Sequence, residues 1–201
     1  MRERVFTADF VTANAPAWRE LLADLVDKPN ALMAEIGSYE GRSACWFVEN
    51  VLTGPGARLH CFDPWAWPGA LERFDANTDE LQLAGRLVRV QGTARVLAGA
   101  DELYDAIYID GDHASDSVAS DAELCWPRLK PGGVVLFDDY DTGHPGVPAA
   151  VDEFVQRRRA ELEVLFRGAQ LYARKAGGPV APRLPVCSMH AVIHVGGIVC
   201  G

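Results

Sequence analysis

The chain is 201 residues long, 49% hydrophobic and 23% charged, a composition that suits one packed domain needing neither disulfides nor a structural metal. Its 28 acidic against 19 basic side chains, net −9, argue against a nucleic-acid or anionic-membrane partner. No apolar run reaches the ~20 residues that cross a bilayer, and no apolar leader follows Met1-Arg2-Glu3-Arg4, so a cytoplasmic location is expected.

Helix and strand signals alternate from the start. Ala15 to Val26 reads as an amphipathic helix with Asn14 as its cap and Pro16 in its first turn. Ala31 to Ile36 is a buried strand stopped by Gly37, and Ser43 to Leu52 a helix. Arg58 to Phe62 is a second strand, ending in Asp63-Pro64. Pro64 to Ala76 is rich in Trp, Pro and Gly and reads as a loop or lid, followed by a helix over Thr78 to Ala84. Leu87 to Val90 is a third strand, with a short helix near Thr93 to Leu97. Tyr104 to Ile109 is a fourth strand and His113 to Leu129 a long helix. Lys130-Pro131-Gly132-Gly133 reads as a turn before a fifth strand, Val134 to Phe137. A helix over Val151 to Ala160 and a hairpin, Glu163 to Phe166 with Leu171 to Arg174, complete the domain.

This alternation predicts an α/β fold, a Rossmann-like three-layer sandwich around a mostly parallel sheet. Residues 1–175 form the domain, and 176–201 an apolar, Pro- and Gly-rich tail with Arg183 as its one charge. The tail reads as an edge strand or a subunit contact, and so as a route to a homo-oligomer. His190 and His194 lie four apart there, a metal spacing only on a helix, which Gly196-Gly197 opposes. The five cysteines (Cys45, Cys61, Cys125, Cys187 and Cys200) lack the pairing of a zinc or disulfide framework and read as reduced thiols.

In such sheets ligands bind beyond the carboxyl ends of the strands. Beyond the first strand stands Glu35-Ile36-Gly37-Ser38-Tyr39-Glu40-Gly41-Arg42-Ser43, a turn that exposes backbone N–H groups at a helix start. A dinucleotide fingerprint would need glycine where Tyr39 and Arg42 stand, so the loop suits a ligand without pyrophosphate and disfavours a nicotinamide oxidoreductase. Asp63 follows the second strand, placed either to accept from ribose hydroxyls or to cap the turn before Pro64. Trp65 and Trp67 could cover an adenine ring or fill the core.

The acids are concentrated. Residues 101–141 hold eleven of them against Arg128 and Lys130, which accounts for the whole net charge. A solvated helix face explains Asp116, Asp121 and Glu123. It does not explain Asp110, Asp138 and Asp139, which stand where apolar strands end. Like charges brought together by a fold call for a divalent cation.

With these motifs the chain resembles class I S-adenosylmethionine-dependent methyltransferases over roughly residues 30–175. The similarity is greatest to the metal-dependent O-methyltransferases of the catechol and macrocin O-methyltransferase-like branches. It is carried by Glu35 to Ser43, Tyr104 to His113 and Leu129 to Tyr140. The resemblance implies a seven-stranded sheet with an antiparallel last strand. It implies that Glu35, Gly37, Ser38, Tyr39 and Ser43 line the methionine and ribose part of the cofactor site, with Asp63 on the ribose and Thr93 near the adenine. It also implies that Asp110, beside the cofactor, ligates Mg²⁺ together with Asp138 and Asp139. Catechol-type enzymes carry an amide where Asp139 stands, which places this chain nearer the sugar and macrolide branch.

Adjacent Asp138 and Asp139 would point to opposite faces of a regular strand, so both reach one ion only if the backbone turns there. His113 and Asp112 are the candidate bases for a small hydroxylated acceptor: a sugar, a polyketide or a catechol-like phenol. His144 lies in the loop beyond the fifth strand, near enough to touch substrate. Two other readings stay open. One is a metal-independent methyltransferase; the other is a Rossmann-like nucleotide binder that does no chemistry.

Overall fold

The computed structural model describes residues 4–177. Seven strands form one sheet: β1 (Leu32–Ile36), β2 (Arg58–Asp63), β3 (Leu87–Gln91), β4 (Tyr104–Ile109), β5 (Leu129–Phe137), β6 (Leu162–Arg167) and β7 (Leu171–Lys175). Their order is β3-β2-β1-β4-β5-β7-β6. The first five run parallel, and β7 inserts antiparallel between β5 and β6. The expected sheet and its closing hairpin are therefore present.

Alternation along the strands divides the core in two. Met33, Leu59, Cys61, Tyr108, Leu136 and Tyr172 face one side, with Trp18, Phe47 and Phe74. These come from α1 (Ala15–Leu21), α2 (Arg42–Asn50) and α3 (Ala70–Leu83). Ile36, Phe62, Ile107, Ile109 and Phe137 face the other, against Leu97, Val118 and Phe154. These belong to α4 (Ala94–Ala98), α5 (Ser115–Cys125) and α6 (Gly146–Arg157). A period-2 pattern buried on both faces is what a helix-covered parallel sheet requires.

Several boundaries differ from expectation, each for a physical reason. Asn14 is no cap: the chain already turns at Val11, whose carbonyl accepts from Asn14 N and Ala15 N. Asn14 therefore has helical dihedrals, and its amide bonds back to the Phe10 carbonyl. The predicted helix to Val26 becomes α1 followed by a 3₁₀ turn over Ala23–Leu25.

The loop predicted over Pro64–Ala76 shrinks to residues 64–69, because α3 begins at Ala70. Its inward stripe is Ala70, Phe74, Asn77, Thr78 and Leu81, and the two polar members hide the periodicity. The long helix predicted to Leu129 stops at Cys125. Pro127 lacks the N–H a continuing helix needs, and a 3₁₀ turn takes over at Trp126. Lys130 to Gly133 lie within β5 as a bulge, since Tyr104 pairs with Leu129 but Ala106 with Val134. The last helix starts earlier than expected, at Gly146, with Pro148 in a first turn where a missing N–H costs nothing.

Cys45, Cys61 and Cys125 are free and buried. The readings made for the tail, with Cys187, His190, His194 and Cys200, fall outside the described residues. Among the described residues no helix is long and apolar enough to cross a membrane.

Candidate active site

Strand order reverses between β1 and its neighbours β2 and β4, which opens a crevice at their carboxyl ends. The strand ends are laced together there. Gly37 N donates to Phe62 O at 2.8 Å, Asp110 N to Ile36 O at 2.8 Å, and Asp138 N to Ile109 O at 3.0 Å. Gly37 has φ of 85°, and a Cβ at this position would stand 1.8 Å from the carbonyl oxygen of Asp110. Only glycine lets the first turn lie against the fourth strand's end.

That turn forms a cradle. Gly37, Ser38, Tyr39, Ser43 and Asp110 line one cavity of about 40 Å³, flanked on the other side by Ala8, Phe10, Val11 and Trp18. The N-terminal segment is held over it by polar contacts. Thr7 N and Oγ1 donate to Glu40 at 2.7 and 2.9 Å, and Asn77 exchanges two 3.0 Å hydrogen bonds with the Val5 backbone. Glu40 also takes a hydrogen bond from Arg73.

Glu35 lies fully buried beneath the turn, and burial pushes its carboxyl up to about 7. Its Oε1 and the Oγ of Ser38 are buried without a well-aligned hydrogen-bond partner, with the Ser38 and Ser43 hydroxyls beside the carboxyl. Incompletely satisfied polar atoms at a ligand crevice fit a site completed by a polar ligand.

Asp63 binds the turn itself. Its Oδ2 accepts from Ser38 N and Tyr39 N, both at 2.9 Å, and its Oδ1 from Trp65 N at 2.5 Å. It thus ties β2 to the cradle and keeps one acceptor position on Oδ1. Trp65 goes to the core, against Phe74, and donates from its indole to Tyr39 O at 2.9 Å. Trp67 stays exposed. Thr93 caps α4 through Arg95 N, one residue past the Gly92 N–H that reaches Asp63 O at 3.0 Å.

The acids meet beside the cradle. One carboxylate oxygen each of Asp110, Asp138 and Asp139 lies within 4.8 Å of the others. Asp139 has φ of 53°, so the backbone turns at that residue and both neighbours face one point. Burial, with the charges of Asp138, Asp139 and Glu35, holds the Asp110 carboxyl well above the usual range. Three converging carboxylates with no sulfur donor fit a hard divalent cation.

Two residues that the sequence did not announce, Tyr108 and Gln170, hold Asp138, and two that it did, His113 and His144, stand beside Asp139. Tyr108 OH donates to Asp138 Oδ2 at 2.6 Å, and Gln170 Nε2 donates to Asp138 Oδ1 at 2.7 Å. His113 Nε2 lies 2.8 Å from Asp139 Oδ2, and its ring packs on that of His144 with centroids 4.2 Å apart.

Asp112 turns the other way. Its carboxylate takes Ala114 N at 3.2 Å and Ser117 Oγ at 2.7 Å, serving the start of α5, and these hydrogen bonds hold it below the usual carboxylate range. For Tyr108 the available signal was its phenol hydroxyl, two residues before Asp110 in β4. Gln170, in a hairpin turn, offered none.

Known proteins share this architecture. An O-methyltransferase from Bacillus cereus, solved in complex with SAH, superposes with a TM-score of 0.63 at 18% identity, over 85% of this chain and 84% of that one. An rRNA methylase from Streptococcus thermophilus superposes at 0.61 and 15% identity, over 85% of this chain and all of that one. An uncharacterized protein of Acanthamoeba polyphaga mimivirus is 30% identical over 145 residues, which is 68% of this chain and 64% of that protein. The chain thus spans about two thirds of the length of this curated relative. Residues 34–140, from β1 to just past Asp139, match the family model described as a methyltransferase domain. The matched stretch is more than half of the chain and contains both the cradle and the acids, and the chain belongs to the methyltransferase domain family.

Proposed function

We propose that the protein transfers a methyl group from S-adenosylmethionine to a hydroxyl of a small molecule, assisted by Mg²⁺. The observation that carries this reading is the convergence of Asp110, Asp138 and Asp139 within 4.8 Å, directly against the Gly37 turn. Ser38, Tyr39 and Ser43 would hold the cofactor along the cradle, over buried Glu35, with Asp63 and Thr93 toward its nucleoside. The three aspartates would hold the cation. When bound, a divalent cation there lowers the pKa of the acceptor hydroxyl and fixes its distance and angle.

His113 takes the proton from that hydroxyl as the oxygen–methyl bond forms and the carbon–sulfur bond breaks. Asp139 would orient the imidazole, whose Nε2 stands 2.8 Å from its Oδ2. Asp112 is left with the helix. The concentration of acids over residues 101–141 favours a small acceptor over a polyanionic one, since the site would repel phosphodiesters. Buried free thiols accord with a cytoplasmic setting.

A second reading has a specific observation behind it. The 2.8 Å His113–Asp139 pair is a complete base and orienter without any metal. Calorimetric titration with S-adenosylhomocysteine, with Mg²⁺ and again with EDTA, tests the cofactor. Methyl transfer from labelled cofactor to a panel of hydroxylated acceptors, under the same two conditions, separates the readings. Binding with chelator-sensitive transfer is expected. Chelator-resistant transfer would favour the dyad, and no binding would remove the methyltransferase reading.

A further inference from the structure

We propose that Gln170 is a positioning residue, which sets the orientation of Asp138 and couples it to Trp18 on α1. The proposal rests on the metal reading above. Gln170 stands in the turn between β6 and β7, where a polar side chain is ordinarily solvated. Here it is 2% exposed. Its Oε1 accepts from Trp18 Nε1 at 2.8 Å and from Tyr172 OH. An indole nitrogen only donates, so the atom facing it must be the amide oxygen, and the NH₂ group must face Asp138. Trp18 thereby decides which end of the amide meets the carboxylate.

Asp138 consequently has one protein donor on each oxygen, Gln170 on Oδ1 at 2.7 Å and Tyr108 on Oδ2 at 2.6 Å. The carboxyl torsion of an aspartate is soft and roughly two-fold. Two donors on opposite oxygens fix its plane, and each oxygen keeps a further acceptor position for the point shared with Asp110 and Asp139. The hairpin turn also grips the backbone just beyond. Ala169 O accepts from Tyr140 N at 2.8 Å and from Asp141 N at 3.4 Å. The antiparallel insertion of β7 thus delivers one buried amide to the end of β5, and α1 sets which way it faces.

The test measures binding of Mn²⁺ alone to the full chain, read by electron paramagnetic resonance of the free ion. Four proteins are compared: wild type, Gln170→Leu, Trp18→Phe and the double variant. Gln170→Leu should weaken Mn²⁺ about 10- to 100-fold, the usual cost of losing a group that orients a ligand. Trp18→Phe should give a smaller loss, and none beyond that of Gln170→Leu in the double variant, because Trp18 acts through the amide. A merely structural role would instead make the two losses multiply. Unchanged Mn²⁺ affinity in Gln170→Leu, or multiplying losses, would overturn the proposal. Should Gln170→Leu not fold, Trp18→Phe keeps the ring packing and decides alone, with wild-type affinity counting against the coupling. If the wild type takes up no Mn²⁺, the metal reading itself falls, and the role of Gln170 with it.

Discussion

His113 Nε2 lies 2.8 Å from Oδ2 of Asp139, the residue whose left-handed backbone turns the chain at the end of β5. The contact holds the imidazole beside the acids at the end of β5, where a hydroxyl ligated there would need a base. His113→Ala should therefore lower methyl transfer by about 10²- to 10⁴-fold and leave S-adenosylhomocysteine affinity nearly unchanged. Asp112→Ala should leave transfer within a few-fold and lower stability by about 1 kcal/mol, through its lost bonds at the start of α5. Single-turnover rates and urea melts on the two variants distinguish base from helix anchor. A collapse of turnover in Asp112→Ala alone would reverse the assignment.

Asp138→Ala should abolish Mg²⁺-dependent transfer and leave cofactor affinity nearly unchanged, since Asp138 is not among the residues lining the cradle. Calorimetry beside a rate assay checks both. Wild-type activity in this variant would sink the metal assignment.

Glu35 offers a pH signature. Its carboxyl is fully buried and titrates near 7 when folded, against 4.5 for a free side chain. Between those values the folded protein binds the extra proton, so this group's contribution is fully present below about 4.5 and is lost as pH rises toward 7. Glu35→Gln should remove that loss. The stability gap between variant and wild type should widen in favour of the variant from pH 5 to pH 8, as read by urea unfolding. A constant gap across that range would show that Glu35 does not titrate this way.

Gly37→Ala should be among the most damaging single-atom changes in the chain. It combines φ of 85° with a Cβ 1.8 Å from the Asp110 carbonyl oxygen, so two backbone segments must part. A loss above about 2 kcal/mol is expected, with weakened cofactor binding in whatever remains folded.

Asn77→Ala should cost about 1–3 kcal/mol, because three hydrogen bonds at 3.0 Å, two to Val5 and one to Glu40 O, lose their partner in a buried place. Exchange of the Val5 and Thr7 amides should rise with it.

What could be read from the sequence follows from how each signal is encoded. β1 and β4 are short, mostly apolar runs that end at Gly37 and Asp110, so strand and site residue are marked together. The need for a turn at Asp138-Asp139 followed from alternation once the resemblance assigned both acids to one ion, and φ of 53° at Asp139 meets it. α3 was obscured because Asn77 and Thr78 occupy its inward face and are satisfied by hydrogen bonds to Val5, Glu40 and Phe74. Burial by polar pairing leaves no hydrophobic period to detect. Gln170 was out of reach for another reason: its donor Trp18 is 152 positions away, and nothing local in Arg167-Gly168-Ala169-Gln170 says what the amide will face. Asp112 stands one position from His113, and only the start of α5 separates their tasks.

The N-terminal segment that flanks the cradle has a thermodynamic consequence. Ligand pockets of small-molecule enzymes commonly hold about 300–1,000 Å³, whereas Ala8, Phe10, Val11 and Trp18 leave about 40 Å³ over the Gly37 turn. A nucleoside-sized molecule seated against that turn would compete with residues 8–11 for the space, and occupancy and the docking of Thr7 on Glu40 would then be linked equilibria. Every increment of free energy that holds the segment down is subtracted from the ligand's apparent affinity. Changes at Thr7 or Glu40 would then retune how tightly the protein holds its ligand and how long it stays.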